Sequence, residues 1–173
     1  MGDSRLQILV CKTESNVVLN MKLSGFVKLW MPVILWIALI FIGSTDILSS
    51  EHTSRFLIPF LRWLDPQITW ATLFTVQTLI RKLGHLTEYA ILATLLWRAL
   101  RSGTAWKWKM SIVFAVAWAG CAIFAASDEF HQSFVPSRTS SLHDVIIDVC
   151  GALIGLTICI ALASRRVLKE ERA

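Results

Sequence analysis

The chain has 173 residues, of which 55% are hydrophobic and only 17% are charged, and its mean hydropathy is +0.60. These values lie outside the usual range of a soluble domain of this length and indicate a small polytopic membrane protein. The net charge of +5 does not indicate nucleic-acid binding, because the basic residues form short clusters beside apolar runs. Such clusters are how membrane proteins fix their orientation.

The first predicted span follows a basic tail. Residues 1–28 show no sustained apolar period and are expected to form a cytoplasmic tail, whereas Leu29 to Thr45 are 17 uncharged residues. That run is nearly long enough to cross a hydrocarbon core of about 30 Å. No small-x-small cleavage motif follows it closely, so we expect an uncleaved span over 29–47 rather than a signal peptide.

Between the first and second spans the sequence predicts an external loop that contains a helical segment. The run from Ile68 to Ile80 is apolar, but it is too short to cross a membrane between Asp65 and Arg81. Trp70 near its start is typical of the headgroup region. We therefore expect residues 68–80 to form an in-plane or re-entrant helix.

Three further spans complete the predicted fold. They are expected at 82–100, 110–127 and 144–163, and a short tail follows at 165–173. If both tails and the loop after the second span share one side, that side holds 12 of the 17 Lys and Arg residues and is cytoplasmic. The prediction is an all-α, multi-pass four-helix bundle, a single domain over 29–164 with both termini in the cytoplasm.

Ionisable side chains gather at the outer ends of these spans. The candidate acid–base residues are His85, Glu88, Asp128, Glu129, Asp144 and Asp148. The candidate substrate-binding residues are Lys82, Tyr89, Gln132 and Arg138. An ionisable group within the membrane costs at least about 2.5–3.5 kcal/mol on the insertion scale, so such groups need partners or a function. The sequence therefore predicts a polar pocket that opens outward.

Helical spacing aligns several of these residues. Lys82, His85 and Tyr89 step by three and four along one face, and Asp128 and Gln132 share a second face. Lysine and arginine in the pocket can pair with the acids or bind an anionic group such as phosphate or carboxylate. An ion-pair network that only ties helix ends together accounts for the same charged residues.

The fourth span carries its acids and its glycines on one face. Asp144, Asp148, Gly151 and Gly155 step by four, three and four. The two glycines predict close helix packing of the small-xxx-small kind. No recognised metal-ligand spacing links the acids and histidines, and three of the four cysteines lie in apolar runs. We expect no metal, no other cofactor and no disulfide.

Two motifs, KLGHLTEYAILATLL (82–96) and DEFHQSFVPSRTSSLHDVIIDVCGALIG (128–155), together resemble the VanZ-like family of small bacterial membrane proteins. The family pattern is K-x-x-H-x-x-x-Y, then D-E-x-x-Q, an Arg, and D-x-x-x-[N/D]-x-x-G-x-x-x-G. The residues at its positions are Lys82, His85, Tyr89, Asp128, Glu129, Gln132, Arg138, Asp144, Asp148 and Gly151. Pro136-Ser137 departs from the Pro-Gly that many members have before the Arg.

The resemblance implies a protein of the bacterial inner membrane. The family takes its name from a protein associated with resistance to teicoplanin, a lipid-tailed glycopeptide that binds cell-wall precursors outside the membrane. One hypothesis is an outer-leaflet enzyme, a hydrolase or transferase, whose substrate is a membrane lipid or a lipid-linked envelope precursor. The other is a non-catalytic binder of an envelope lipid or lipoglycopeptide, or a partner of another membrane protein.

Overall fold

A computed structural model describes residues 25–45, 50–103, 108–135 and 141–170. This part of the chain contains no strand, and its helices are α1 Gly25–Gly43, α2 Ser50–Leu64, α3 Trp70–Gly103, α4 Met110–Gln132 and α5 Leu142–Glu170. Helices α1 and α4, and α5 over Leu142–Arg165, are long and apolar enough to cross a membrane. Their outward faces expose large apolar side chains such as Ile34 and Ile123, which suits a lipid environment.

Helix α3 joins two segments that the sequence separates. The predicted second span, 82–100, and the segment 68–80 expected as a separate in-plane or re-entrant helix form one continuous helix from Trp70 onward. Neither proline nor a turn motif interrupts residues 70–82, so the charges that end the apolar run do not end the helix. These charges explain why α3, although it has 34 residues, is not among the three most apolar helices.

The helix between α1 and α3 is α2, at Ser50–Leu64, and it packs against the start of α3. Gln77 donates a hydrogen bond from Nε2 to Ser54 Oγ at 2.7 Å. The guanidinium of Arg62 lies 4.5 Å from the ring centroid of Trp70, a cation–π contact. A helical segment is thus present before α3, but it lies earlier in the chain than the segment expected at 68–80.

Three helix boundaries differ from the prediction because helices continue past the apolar runs. Helix α1 begins at Gly25, inside the predicted tail. Helix α4 continues to Gln132, so Asp128 and Glu129 belong to its last turns. Helix α5 starts two residues early and runs to Glu170, through most of the predicted C-terminal tail.

Side chains from α1, α3, α4 and α5 form one apolar core. Its buried members include Val33, Leu92, Ala117 and Leu156. Many other buried positions are alanine, which lets the helix backbones approach closely. Within a membrane, apolar burial adds little driving force, so dispersion contacts and interhelical hydrogen bonds stabilise such a core.

Helices α3 and α5 run parallel and have the most extensive contact of any described helix pair. A Cβ atom on Gly151 would lie 2.9 Å from the carbonyl carbon of Leu86, and one on Gly155 would lie 3.0 Å from that of Ala90. Only glycine therefore fits at these two positions. The predicted close packing of the small-xxx-small kind is confirmed.

Candidate functional site

Buried polar side chains gather at one end of the helices. At this end α1 and α4 end and α5 begins, whereas α3 continues past it. We call this set the polar cluster, and its members, each at most 8% exposed, are Ser44, His85, Asp128, Glu129, Gln132, Asp144 and Asp148. Six of the seven are candidate site residues from the sequence, and Ser44 is the addition. Residues from α3, α4 and α5 thus converge with Ser44, which directly follows α1.

His85 on α3 and Asp148 on α5 form the central contact of the polar cluster. Nδ1 of His85 lies 3.2 Å from Oδ1 of Asp148, and the two residues are 8% and 0% exposed. When the carboxylate of Asp148 is ionised it can only accept a hydrogen bond, so Nδ1 of His85 then carries a proton, and a neutral ring keeps a basic Nε2. A carboxylate behind one imidazole nitrogen is the arrangement that orients a general base.

One turn toward the start of α3, Arg81 forms an ion pair with Asp144 of α5. Arg81 and His85 are four residues apart, as are Asp144 and Asp148, so the two contacts stack on one helix face. Lys82 is the neighbouring cation, but the helical rotation of about 100° per residue turns it off this face, and it is exposed. The cation that pairs with Asp144 is therefore Arg81.

A hydrogen-bonded trio connects α1 to α4. Ser44 Oγ donates to Asp128 Oδ2 at 2.7 Å, and Gln132 Nε2 donates to the same oxygen at 2.9 Å. Gln132 Nε2 also lies 3.2 Å from Ser44 Oγ. Two donors on one buried carboxylate oxygen stabilise its ionised form and fix the end of α1 against α4.

Glu129 links α4 to the beginning of α5. Its Oε2 accepts a hydrogen bond from the backbone N–H of Ser141 at 2.8 Å, just before the first residue of α5. A carboxylate at this position also interacts favourably with the positive end of the helix dipole. This contact gives Glu129 a structural role in placing α5.

Tyr89 lies one turn beyond His85 on α3. It is fully buried, its ring centroid is 6.1 Å from that of Phe124 on α4, and its hydroxyl has no hydrogen-bond partner among the described residues. The hydroxyl is within electrostatic range of Asp148 and Asp128. Tyr89 therefore faces the acidic side of the polar cluster.

Glu88 lies at the edge of this arrangement. It is half-buried, and its backbone carbonyl accepts a hydrogen bond from the indole Nε1 of Trp36 at 2.9 Å. Its carboxylate is within electrostatic range of His85. Glu88 can thus influence the charge of His85, although it is not as deeply buried as Asp148.

The acids that α4 and α5 contribute to the polar cluster lie at the same end of the helices and are all buried. Arg138, the remaining candidate, lies outside the described residues.

No group of three or more His, Cys, Asp or Glu side chains within the described ranges is arranged to hold a metal ion. The cluster is thus organised as hydrogen bonds and ion pairs between helices.

Sequence reasoning missed two residues of this site, Ser44 and Arg81. Arg81 could have been found, because it lies four residues before His85 and so matches the spacing of Asp144 and Asp148 on α5. Ser44 has no such signal. It is 84 positions from Asp128, and a serine at the end of an apolar run is ordinary.

Comparison with known proteins supports one family. The family model described as VanZ/LLP1 matches residues 29–163. That range begins in α1, ends in α5 and includes every residue of the polar cluster. No curated protein and no solved structure matches the chain.

Proposed function

Because this chain belongs to the VanZ/LLP1 family, we propose that it is a membrane protein whose polar cluster engages a lipid-linked or amphiphilic molecule of the cell envelope. The observation that carries the proposal is the His85–Asp148 contact, which is buried beside further carboxylates at one end of apolar helices. Buried ionisable groups are costly within a membrane, so an arrangement of this size favours a functional role. The lipid bilayer brings an amphiphilic ligand to the same location.

The proposed topology is a four-span bundle in the bacterial inner membrane, with α3 as the second crossing and both termini cytoplasmic. The basic residues favour it, because 12 of 17 then lie on the cytoplasmic side. The polar cluster then faces outward. A reporter that is active only in the cytoplasm should be active when fused after Ala173, and inactive when inserted near Ser140.

In the first hypothesis the protein is an outer-leaflet hydrolase or transferase. Nε2 of His85 takes the proton from the hydroxyl or water that attacks the substrate, while Asp148 holds the ring and stabilises the imidazolium that forms. As the bond to the leaving group breaks, the imidazolium returns the proton to that group. Asp128, Glu129, Asp144 and Glu88 are the other acid–base candidates. Tyr89 and Gln132 contact the substrate, and Lys82 and Arg138 bind an anionic group of it.

Incubation of the purified protein with labelled envelope lipids tests this reading. The wild-type chain should convert one lipid class, and His85→Gln and Asp128→Asn should abolish the product. His143→Gln is the matched control, since His143 is exposed on the first turn of α5. Unchanged lipids across a broad panel, or equal turnover by His85→Gln, would count against an enzyme.

A non-catalytic binder is the alternative, and the contacts between helices favour it. Three acids of the polar cluster already hold other elements: Asp144 binds Arg81, Asp128 binds Ser44, and Glu129 binds the start of α5. A binding site needs these charges, but it tolerates small shifts in the positions of the carboxylates. Asp128→Glu should therefore be tolerated by a binder, whereas it should inactivate an enzyme.

Glycopeptide resistance of the teicoplanin type is the cellular role we propose for either reading. Expression of the chain in a susceptible bacterium should raise the inhibitory concentration of teicoplanin. Asp148→Asn at equal protein level should remove the increase. If the wild-type protein left the inhibitory concentration unchanged, this cellular role would be excluded. The lipid-binding proposal would then be decided by the lipid assay.

A further inference from the structure

The polar cluster has more hydrogen-bond acceptors than donors. Within the described part of the chain, four of its side-chain oxygens are buried without a hydrogen-bond partner: Asp128 Oδ1, Glu129 Oε1, Gln132 Oε1 and Asp148 Oδ2. Ionised carboxylate and amide oxygens can only accept hydrogen bonds. A buried acceptor without a donor loses its hydration without compensation, so four of them indicate that something supplies donors.

Most donors of the cluster already have an acceptor. The hydroxyl of Ser44 donates to Asp128, and the amide nitrogen of Gln132 donates to Asp128 and to Ser44. Nδ1 of His85 is paired with Asp148, and the guanidinium of Arg81 is directed to Asp144. The described contacts therefore leave few donors of the cluster for the four unpartnered oxygens.

The charge balance points in the same direction. The cluster holds four buried carboxylates, and the cations that contact them in the described residues are Arg81 and, when protonated, His85. Carboxylates in excess of cations are unfavourable in a medium of low dielectric constant, and a positive group among them is stabilised. The interior of this site therefore favours a cation over an anion.

Two fully buried neutral side chains at this end of the helices also carry a polar atom without a hydrogen-bond partner. Gln132 is 0% exposed, and its amide oxygen is unpartnered although its nitrogen contacts Asp128. Tyr89 is 0% exposed, and its unpartnered hydroxyl is within electrostatic range of Asp148 and Asp128. These observations are independent of the carboxylate count, and both mark unused hydrogen-bonding capacity inside the site.

We propose that the polar cluster binds a protonated amine carried by the amphiphilic ligand, with the free oxygens of Asp128, Glu129, Gln132 and Asp148 accepting its N–H bonds. This inference rests on the proposed function and names the chemistry of its ligand. A primary ammonium brings up to three donors on one compact positive charge, which matches the excess of acceptors and of negative charge. A quaternary ammonium has the positive charge but no N–H donor. A phosphate has neither a positive charge nor an N–H donor.

Exposed Lys82 completes the arrangement for a zwitterionic ligand. It is next to Arg81, whose ion pair with Asp144 is the contact nearest the start of α5. In the proposed arrangement the phosphate or carboxylate of the ligand lies outside the buried cluster, where the exposed Lys82 can pair with it. The anionic group suggested by the sequence therefore belongs at the rim, and the amine belongs inside.

The test compares headgroups on the full chain in detergent. Short-chain phosphatidylethanolamine should bind about tenfold more tightly than phosphatidylcholine or phosphatidylglycerol of the same chain length, as expected for charge-assisted hydrogen bonds. Asp148→Asn and Asp128→Asn should remove the preference. Asp65→Asn, an exposed acid outside the cluster, should retain it. Thermal unfolding of each variant without lipid confirms that it is folded.

A second arm identifies the source of the amine. A lipid-tailed peptide with a free amino terminus is compared with its N-acetylated form. A preference for the free amine together with indifference to phospholipid headgroup supports an amine from an envelope precursor or lipopeptide. A preference for phosphatidylethanolamine alone supports a membrane lipid.

The amine proposal and the proposed function can fail separately. If all headgroups and both peptides bind equally, and Asp148→Asn weakens all of them, the proposed function stands and the amine proposal is overturned. The excess charge is then neutralised by protons on the carboxyl groups. If binding of every probe is unaffected by the cluster variants, both are overturned.

Discussion

Gly151 of α5 lies directly against the backbone carbonyl of Leu86 on α3, one turn from the contact between Asp148 and His85. The glycine contact and the polar contact are therefore parts of one helix interface. Any change that separates the two backbones at Gly151 also lengthens the distance between the imidazole and the carboxylate.

Gly151→Ala should lower both stability and function. Its Cβ would lie 2.9 Å from the Leu86 carbonyl carbon, and relief of such overpacking costs about 1–3 kcal/mol. Thermal unfolding in detergent and the lipid assay measure the two losses. Gly84→Ala is the control, because a Cβ there meets nothing within 4 Å and a mid-helix alanine should be stabilising by about 0.5–1 kcal/mol. Equal stability of the two variants would contradict the packing assignment.

Arg81→Ala should destabilise the chain by about 1–3 kcal/mol, because it leaves the buried carboxylate of Asp144 unpaired. Asp144→Asn should cost less, since Arg81 is partly exposed and water can solvate it. A double-mutant cycle on thermal unfolding measures the coupling between the two side chains. Lys82→Ala, at the exposed neighbouring position, should have almost no effect on stability. A larger loss from Lys82→Ala than from Arg81→Ala would mean that Lys82 is the structural cation.

Ser44→Ala should cost about 1 kcal/mol in unfolding free energy, because Asp128 Oδ2 loses one of its two donors. Binding or turnover of lipid should fall as well, since the end of α1 is no longer fixed against α4. The control is Ser127→Ala: Ser127 is exposed and donates to the carbonyl of Ile123 in its own helix. If both alanine variants behaved alike, the Ser44–Asp128 hydrogen bond would have no measurable role.

Helix α2 is expected to lie in the plane of the membrane surface. Phe56, Phe60 and Trp63 recur at helical spacing and are 82%, 55% and 76% exposed, as suits a face that contacts lipid. In a background without native cysteines, Phe56→Cys should resist a membrane-impermeant maleimide in intact vesicles. Arg55→Cys, on the adjacent face, should react readily. Fast labelling at both positions would place α2 in water.

Much of the site can be predicted from the sequence, because its residues repeat every three or four positions along helices. That periodicity alone places His85 with Tyr89 on one face and Asp128 with Gln132 on another. It does not give the partner of each residue across helices. Ser44 and Asp128 meet only after α1 and α4 pack together, and no local pattern records such a contact.

The extent of α3 escaped prediction for a different reason. Apolar runs report where a chain can enter lipid, whereas backbone hydrogen bonds decide where a helix begins and ends. Arg81, His85 and Glu88 interrupt the apolar run but not the helix, because their side chains leave the backbone hydrogen bonds intact. The charged stretch that looked like a boundary is in fact the middle of the longest described helix.

The four-residue repeat shared by α3 and α5 raises the question of what prevents the two helices from sliding. A slip of one turn toward the end of α3 would seat Gly151 against Ala90 and bring Asp144 opposite His85, so the histidine does not distinguish the two alignments. The slip would, however, place Ile147 against the Leu86 carbonyl, where only glycine fits, and leave Arg81 without an acid. The glycine contact and the ion pair together thus fix the register of a repetitive surface and so decide which carboxylate stands behind the imidazole.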